Sequence, residues 1–454
     1  MLPEEFLERI SRQNYIDAGR LAEALGQPSP VSVRINPYKW TCPVTGYDRV
    51  IWEPQGYYLQ GRPLFTADPL FHAGVYYPQE ASSMFTGEVF RQVTTSMNNI
   101  RVLDLCGAPG GKSTHLSALM AGNGLLIANE VIRSRAAVLV ENITKWGIGN
   151  TIVTQNDPSA FAALTGFFDV IVADAPCSGE GMFRDSIAVA EWSQQNARLC
   201  SERQRRIVMD VWPALKPGGM MIYSTCTFNP AENEENISWF RDTTRSEPVF
   251  VDISGMGGVT RVRYREIEGY GFYPGKIKGD GFFIAVLRKP LEMKASTRNI
   301  ITKAVKKSAR AFEIVEPLMT YDRDRLVMSG NMIMALAAGR DIFSYISANL
   351  TVIKSGTLVG EMMNDSFIPA HDLAMSVWQK DDAWISYDAS YDEAVTYLRR
   401  GQLRAARMPV GRIRMRYRGV PLGFVNNIGS RVNNGYPKAW RMRMEKQSGF
   451  SSIL

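Results

Sequence analysis

Two cysteines stand where a thiolate could do chemistry. The stretches Asp174-Ala175-Pro176-Cys177-Ser178-Gly179-Glu180-Gly181-Met182 and Ser224-Thr225-Cys226-Thr227-Phe228-Asn229-Pro230 each place a thiol in a turn-rich segment just after an apolar run. One cysteine at a strand end is more often buried filler. Two at neighbouring strand ends, one of them following an acid, favour use over filling. A thiolate beside a nucleoside site points to attack on an electrophilic carbon, and carbon 6 of a pyrimidine is one. Adding sulfur there turns carbon 5 into an enamine nucleophile that can take a methyl group. The reaction needs a thiolate, a proton donor at ring N3 and a base for the carbon-5 proton. A free cysteine is only a few per cent ionised at pH 7, so the site must activate it.

The nucleoside site is read from Arg101 to Lys112, Arg-Val-Leu-Asp-Leu-Cys-Gly-Ala-Pro-Gly-Gly-Lys. A short apolar run ends in an acid, breaks into glycines and a proline, and gives way to a helical pattern. The glycines let backbone approach a ligand, and the helix start offers unpaired N–H groups. A phosphate-binding P-loop needs Gly-x4-Gly-Lys-Ser/Thr. Gly111-Lys112-Ser113 supplies its end, but Cys106 stands at the first glycine and Pro109 lacks an N–H. A doubly wound nucleoside site expects instead an acid closing the next strand, about 20 residues on, and Glu130 fills that place.

The elements that must position these residues alternate from Ile100 onward. Strands are expected at Arg101–Cys106, Leu125–Glu130, Thr151–Gln155, Asp169–Asp174 and Gly219–Thr225. Helices are expected at Lys112–Met120, Ile132–Trp146 and, longest, Val189–Leu215, stopped by Lys216-Pro217-Gly218-Gly219. This is the pattern of a parallel sheet covered on both faces. A helical stretch (Glu4 to Leu25) and an aromatic-rich one (Tyr38, Trp40, Tyr47, Trp52, Tyr57, Tyr58) precede it; packing is the expected role of those rings. A basic, weakly patterned segment with Lys294, Arg298, Lys303, Lys306, Lys307 and Arg310 follows it.

The 454 residues, 45% hydrophobic and 21% charged, suffice for real cores in about three domains. No apolar run approaches the ~18 residues of a membrane span, and the acidic start is unlike a secretory signal. The 5 cysteines show no Cys-x2-Cys spacing and are odd in number, and the 3 histidines are scattered. No metal site is expected, and a reduced, cytoplasmic chain is. A net charge of +7 suits a polyanion partner but also simple solubility.

The glycine turn and the two cysteine stretches resemble the Sun family of RNA cytosine-5 methyltransferases, most nearly its bacterial RsmF-type enzymes of small-subunit rRNA. Arg34-Ile35-Asn36-Pro37, Gln79-Glu80-Ala81-Ser82-Ser83-Met84, Pro230-Ala231-Glu232-Asn233-Glu234 and Pro421-Leu422-Gly423-Phe424 with Tyr436-Pro437-Lys438 add to it. The resemblance implies a Rossmann-like methyltransferase core (76–290) behind a small N-terminal α/β RNA-binding extension (1–75). It also implies a linker with an intermediate domain (291–383) and a C-terminal α+β PUA-like RNA-binding domain (384–454). Cys106, Gly107, Ala108, Pro109, Gly110, Gly111 and Lys112 would wrap S-adenosylmethionine. Glu130 would bind its ribose, Asp157 would lie by its adenine amine, and Asp174 would border it and hydrogen-bond cytosine N3. Cys226 would be the nucleophile and Cys177 would help release product. The expected partner is 16S rRNA, met by a monomer.

Arg412-Ile413-Arg414-Met415-Arg416-Tyr417-Arg418 alternates at period two, so Arg412, Arg414, Arg416 and Arg418 are expected on one strand face, gripping RNA. Rival functions are a DNA cytosine-5 methyltransferase using Cys177, a tRNA methyltransferase, and a non-catalytic RNA-binding assembly factor. The first leaves Thr225-Cys226 unexplained; the last leaves both thiols and the glycine turn without a use.

Overall fold

The computed structural model describes residues 2–292, 308–364, 366–444 and 452–454. A small antiparallel sheet of β1 (Val31–Ile35), β2 (Gly56–Leu59) and β3 (Tyr76–Pro78) leads into the central one. There the parallel strands β4 (Arg101–Asp104), β5 (Leu125–Asn129), β6 (Thr151–Thr154), β7 (Phe168–Asp174) and β8 (Leu215–Thr225) alternate with helices. Their order in space is β8-β7-β4-β5-β6. The chain winds outward from β4 to β6, then crosses back to lay β7 on the other side of β4. That reversal opens a crevice at the C-terminal ends of β4 and β7, where sheets of this kind bind ligands. Beyond β8 the sheet turns antiparallel: β9 (Glu247–Val249), β10 (Thr260–Tyr264), β11 (Ile267–Phe272) and β12 (Phe282–Arg288) follow, with β12 pairing β8, β11 and β9.

Alternation sends Val102 and Leu126 to one apolar layer and Leu103 and Ile127 to the other. Strands buried on both faces read as unbroken apolar runs, which is why the sequence betrays them. The aromatics before the core do pack: Trp52 and Tyr57 are buried, and Trp52 Nε1 donates to the Ala81 carbonyl at 2.7 Å.

Several elements differ from expectation. The long helix breaks at Trp192: Ser193 is extended and its hydroxyl caps Asn196 N–H at 3.1 Å, starting Gln194–Val211. Pro217 and Gly218 lie inside β8 rather than ahead of it, opposite an irregularity at Phe168–Val170 that absorbs them. The first helical stretch is two helices, Glu4–Ser11 and Ala18–Leu25, the second capped by Asp17. Segment 291–383 is not wholly separate, because Val352–Ser355 pairs antiparallel with β6 and extends the catalytic sheet. The N-terminal sheet and the C-terminal region share one core, in which Val33, Ile35 and Tyr76 meet Ile413, Met415 and Tyr436. Lys294, Arg298, Lys303, Lys306 and Lys307 lie outside the described residues. No helix among the described residues is long and apolar enough to cross a membrane.

Candidate active site

The turn after β4 closes tightly. Gly107 N–H donates to the Asn129 carbonyl at 2.7 Å, and a Cβ at Gly107 would sit 2.8 Å from Ser113 Oγ. Gly110 takes φ +120°, a region that suits glycine. From behind, the buried Arg34 donates to Gln79 Oε1 at 2.8 Å and Thr114 Oγ1 at 2.7 Å, and its guanidinium stacks 4.5 Å over Trp146. The Arg-Ile-Asn-Pro and Gln-Glu-Ala-Ser-Ser stretches thus brace the turn.

Three acids converge on this turn, one from each of the neighbouring strands β4, β5 and β7. Asp104 is fully buried; one oxygen accepts Ser113 Oγ at 2.6 Å, and the other has no partner among the described residues. Burial raises its carboxyl to about 6. Glu130 accepts Ile132 N–H at 2.9 Å and lies 3.5 Å from Arg135. Asp174 accepts Lys112 Nζ at 2.9 Å and Ser224 Oγ at 2.7 Å. Burial, then Asp104, Asp174 and Glu130, raise the Cys106 thiol far above its ordinary value, so Cys106 stays protonated. An orphaned carboxylate oxygen within a ring of acids fits a cationic ligand rich in hydroxyls, as S-adenosylmethionine is. Burial works against the Lys112 charge, but Asp174 more than offsets it and holds the ammonium above its usual range. The lysine a P-loop would aim at phosphate is therefore turned to an acid.

The loops after β7 and β8 bring the two thiols together, with Cys177 Sγ 3.1 Å from Cys226 Sγ. Cys226 N–H donates to Cys177 Sγ at 3.3 Å. Cys177 is held well above the ordinary thiol range, first by its hydrogen bond to Cys226 and then by burial. Cys177 therefore holds its proton firmly. The loops are fastened to the N-terminal helix as well, where Arg9 pairs with the buried Glu180 at 2.5 Å and Gly181 N–H donates to the Cys226 carbonyl at 2.9 Å.

The remaining expected site residues are engaged within the protein. Asp157 is exposed and accepts the N–H and hydroxyl of Ser159 at 3.0 and 2.7 Å, capping Pro158–Leu164. The arginine face is corrected. Arg414 is buried and donates to Ser386 Oγ at 3.0 Å and the Asp381 carbonyl at 2.9 Å. Arg412 holds the Phe367 carbonyl, Arg416 pairs with Asp388 at 2.5 Å, and Arg418, in the turn past the strand, holds the Leu454 carbonyl. These guanidiniums tie segments of the protein together, and Arg414 is closed off from any ligand. Asp104, Ser178, Glu232 and Thr227 also lie at this site, and motif reading gave them no role; the acid closing the first strand was the one available signal.

A doubly wound sheet with an acid-ringed glycine turn at its switch point defines a Rossmann-like, S-adenosylmethionine-dependent methyltransferase core. Comparison with known proteins gives the family. The 16S rRNA methyltransferase RsmB/F family matches residues 92–288, the N-terminal domain of 16S rRNA methyltransferase RsmF matches 2–81, and the methyltransferase RsmF PUA domain matches 385–442. Ribosomal RNA small subunit methyltransferase F of Cronobacter sakazakii is 30% identical over 96% of each chain, and that of Klebsiella pneumoniae 29% identical over 96% of each. A methyltransferase homolog from Pyrococcus horikoshii is 28% identical with a TM-score of 0.52, covering 63% of this chain and all of that one. NSun6 from the same organism, solved with SFG, shares the fold at TM-score 0.53 and 20% identity, covering 64% of this chain and 99% of its own. The chain belongs to the RsmB/F family of methyltransferases, and S-adenosylmethionine is its cofactor.

Proposed function

We propose that this chain methylates carbon 5 of a cytosine in 16S rRNA through a covalent bond between Cys226 and cytosine carbon 6. The cysteine pair is the observation that carries this reading: two thiols in contact, with Cys177 holding the proton. The names of its relatives support the choice of RNA, since they are ribosomal RNA small subunit methyltransferases. Bound S-adenosylmethionine supplies an electrophilic methyl group on a sulfonium. Cys106 to Lys112 would wrap it, Glu130 would take the ribose hydroxyls, and Asp157 would lie on the adenine side.

The target base must leave its stack to reach the crevice. Cys226 attacks carbon 6 while Asp174, braced by Lys112 and Ser224, passes a proton to ring N3 and takes it back when the carbon–sulfur bond breaks. The carbon-5 enamine takes the methyl group. Once Cys226 has become a thioether, Cys177 no longer donates to an anion, and the chief cause of its raised affinity for a proton is gone. Cys177 can then release its own proton to water, and the thiolate so formed takes the carbon-5 proton as the ring double bond re-forms and the carbon–sulfur bond breaks back to the Cys226 thiolate. Cys226→Ala should abolish methylation of a 16S rRNA fragment while S-adenosylmethionine still binds in calorimetry. Turnover at the wild-type rate would refute the assignment. An adduct lost in Cys177→Ala but kept in Cys226→Ala would exchange the two roles.

A further inference from the structure

We infer that Glu232 is a positioning residue that ties the two cysteine loops together and fixes the contact between Cys177 and Cys226. The inference rests on the covalent reading above. Glu232 has no solvent exposure and, among the described residues, no ion pair. Its carboxylate accepts Ser178 N–H at 2.9 Å, Ser178 Oγ at 2.5 Å and Gln204 Nε2 at 2.9 Å. Gln204 Nε2 also donates to the Pro176 carbonyl at 3.0 Å, so the residues on both sides of Cys177 are anchored to one group.

The same carboxylate reaches the other loop. Ser178 gives its proton to Glu232, so its oxygen accepts from Thr227 Oγ1, 2.9 Å away and adjacent to Cys226. On the other side of Cys226, Thr225 Oγ1 donates to Asn233 Oδ1 at 2.6 Å, and Asn233 Nδ2 donates to the Thr227 carbonyl at 2.9 Å. Tyr223 OH closes the ring on the Glu232 carbonyl at 2.6 Å. A buried carboxylate without a counter-cation costs stability, and its value here is geometric. Burial, aided by nearby Glu180, raises it to about 7, consistent with a group held in place without charge compensation.

The test separates tether from charge. Glu232→Gln can keep the hydrogen bonds, because the Ser178 hydroxyl can rotate to accept from the new amide and donate to Thr227. Glu232→Ala cannot. With the full chain and a 16S rRNA fragment, Glu232→Ala should lower kcat about a hundredfold, the scale of a misplacement of ~1 Å. KM for RNA should stay within about twofold, because binding is not what is lost. Glu232→Gln should recover most of kcat. Thr227→Val cuts only the link between the loops and should fall between the two; it carries the test if Glu232→Ala does not fold. A wild-type kcat in Glu232→Ala or Thr227→Val overturns the inference, as does Glu232→Gln being as slow as Glu232→Ala. Activity surviving Cys226→Ala would instead sink the covalent reading, so the two failures are told apart.

Discussion

Glu232 should also leave a thermodynamic signature. Burial raises its carboxyl from 4.5 to about 7, against the lowering effect of the Ser178 and Gln204 donors. Between those values the folded protein holds the proton more tightly than the unfolded chain. The stability this group contributes is therefore fully present below about pH 4.5 and lost as pH rises through about 7. At 1.36 kcal/mol for each tenfold change in proton affinity, the loss is about 3 kcal/mol. Glutamine cannot titrate. The unfolding free energy of Glu232→Gln minus that of wild type should thus rise by about 3 kcal/mol across that window and then flatten. Urea unfolding at constant ionic strength, followed by tryptophan fluorescence, measures it, with midpoints compared only where the slopes agree. A flat difference would show that the carboxyl ionises as it does in water, and a falling one that the fold favours its charge; either would refute the uncompensated burial of this group.

Cys177→Ala should accumulate an enzyme–RNA adduct that survives a denaturing gel and disappears when Cys226→Ala is added; product released at the wild-type rate would contradict the base assigned to Cys177. Glu130→Ala should weaken S-adenosylmethionine binding by roughly 2–4 kcal/mol through two lost charge-assisted hydrogen bonds, with RNA affinity little changed. An unaltered dissociation constant in calorimetry would move the ribose contact elsewhere. Arg414→Ala should destabilise the C-terminal region by about 2–4 kcal/mol, since it strips a buried donor set from Ser386 and Asp381, and should leave the salt dependence of RNA binding unchanged. A flattened salt slope at unchanged stability would restore an RNA contact for this residue.

The parts legible in the sequence are those that neighbouring residues encode. Apolar runs bounded by glycine and proline mark β4 to β7, and the turn chemistry of Cys106–Lys112 marks the crevice. The rest depends on residues far apart in the chain. The alternation of Arg412 to Arg418 names no counterions, because Asp381 and Asp388 come from an earlier segment of the chain. A bulge between Met415 and Arg416 also disturbs the period-two alternation on which a single arginine face depends. Val352–Ser355 is too short and mixed to announce that it pairs with β6, a strand about two hundred residues earlier. Glu232 lay within a quoted motif, yet nothing local says that its carboxylate reaches the residue after Cys177.

The shared core of the N-terminal sheet and the C-terminal region bears on how the protein is made. During translation β1 to β3 emerge first, and Val33, Ile35 and Tyr76 then wait uncovered while the whole methyltransferase core is synthesised. Their cover, Ile413, Met415 and Tyr436, arrives only once that later segment has left the exit tunnel, with Ser452 reaching back to Asp68 at 2.8 Å. A nascent chain paused anywhere between therefore presents a sticky apolar surface, a handle for chaperones. Closing that surface joins the N-terminal sheet to the C-terminal region only after every strand of the crevice has been made, so this step of maturation comes late.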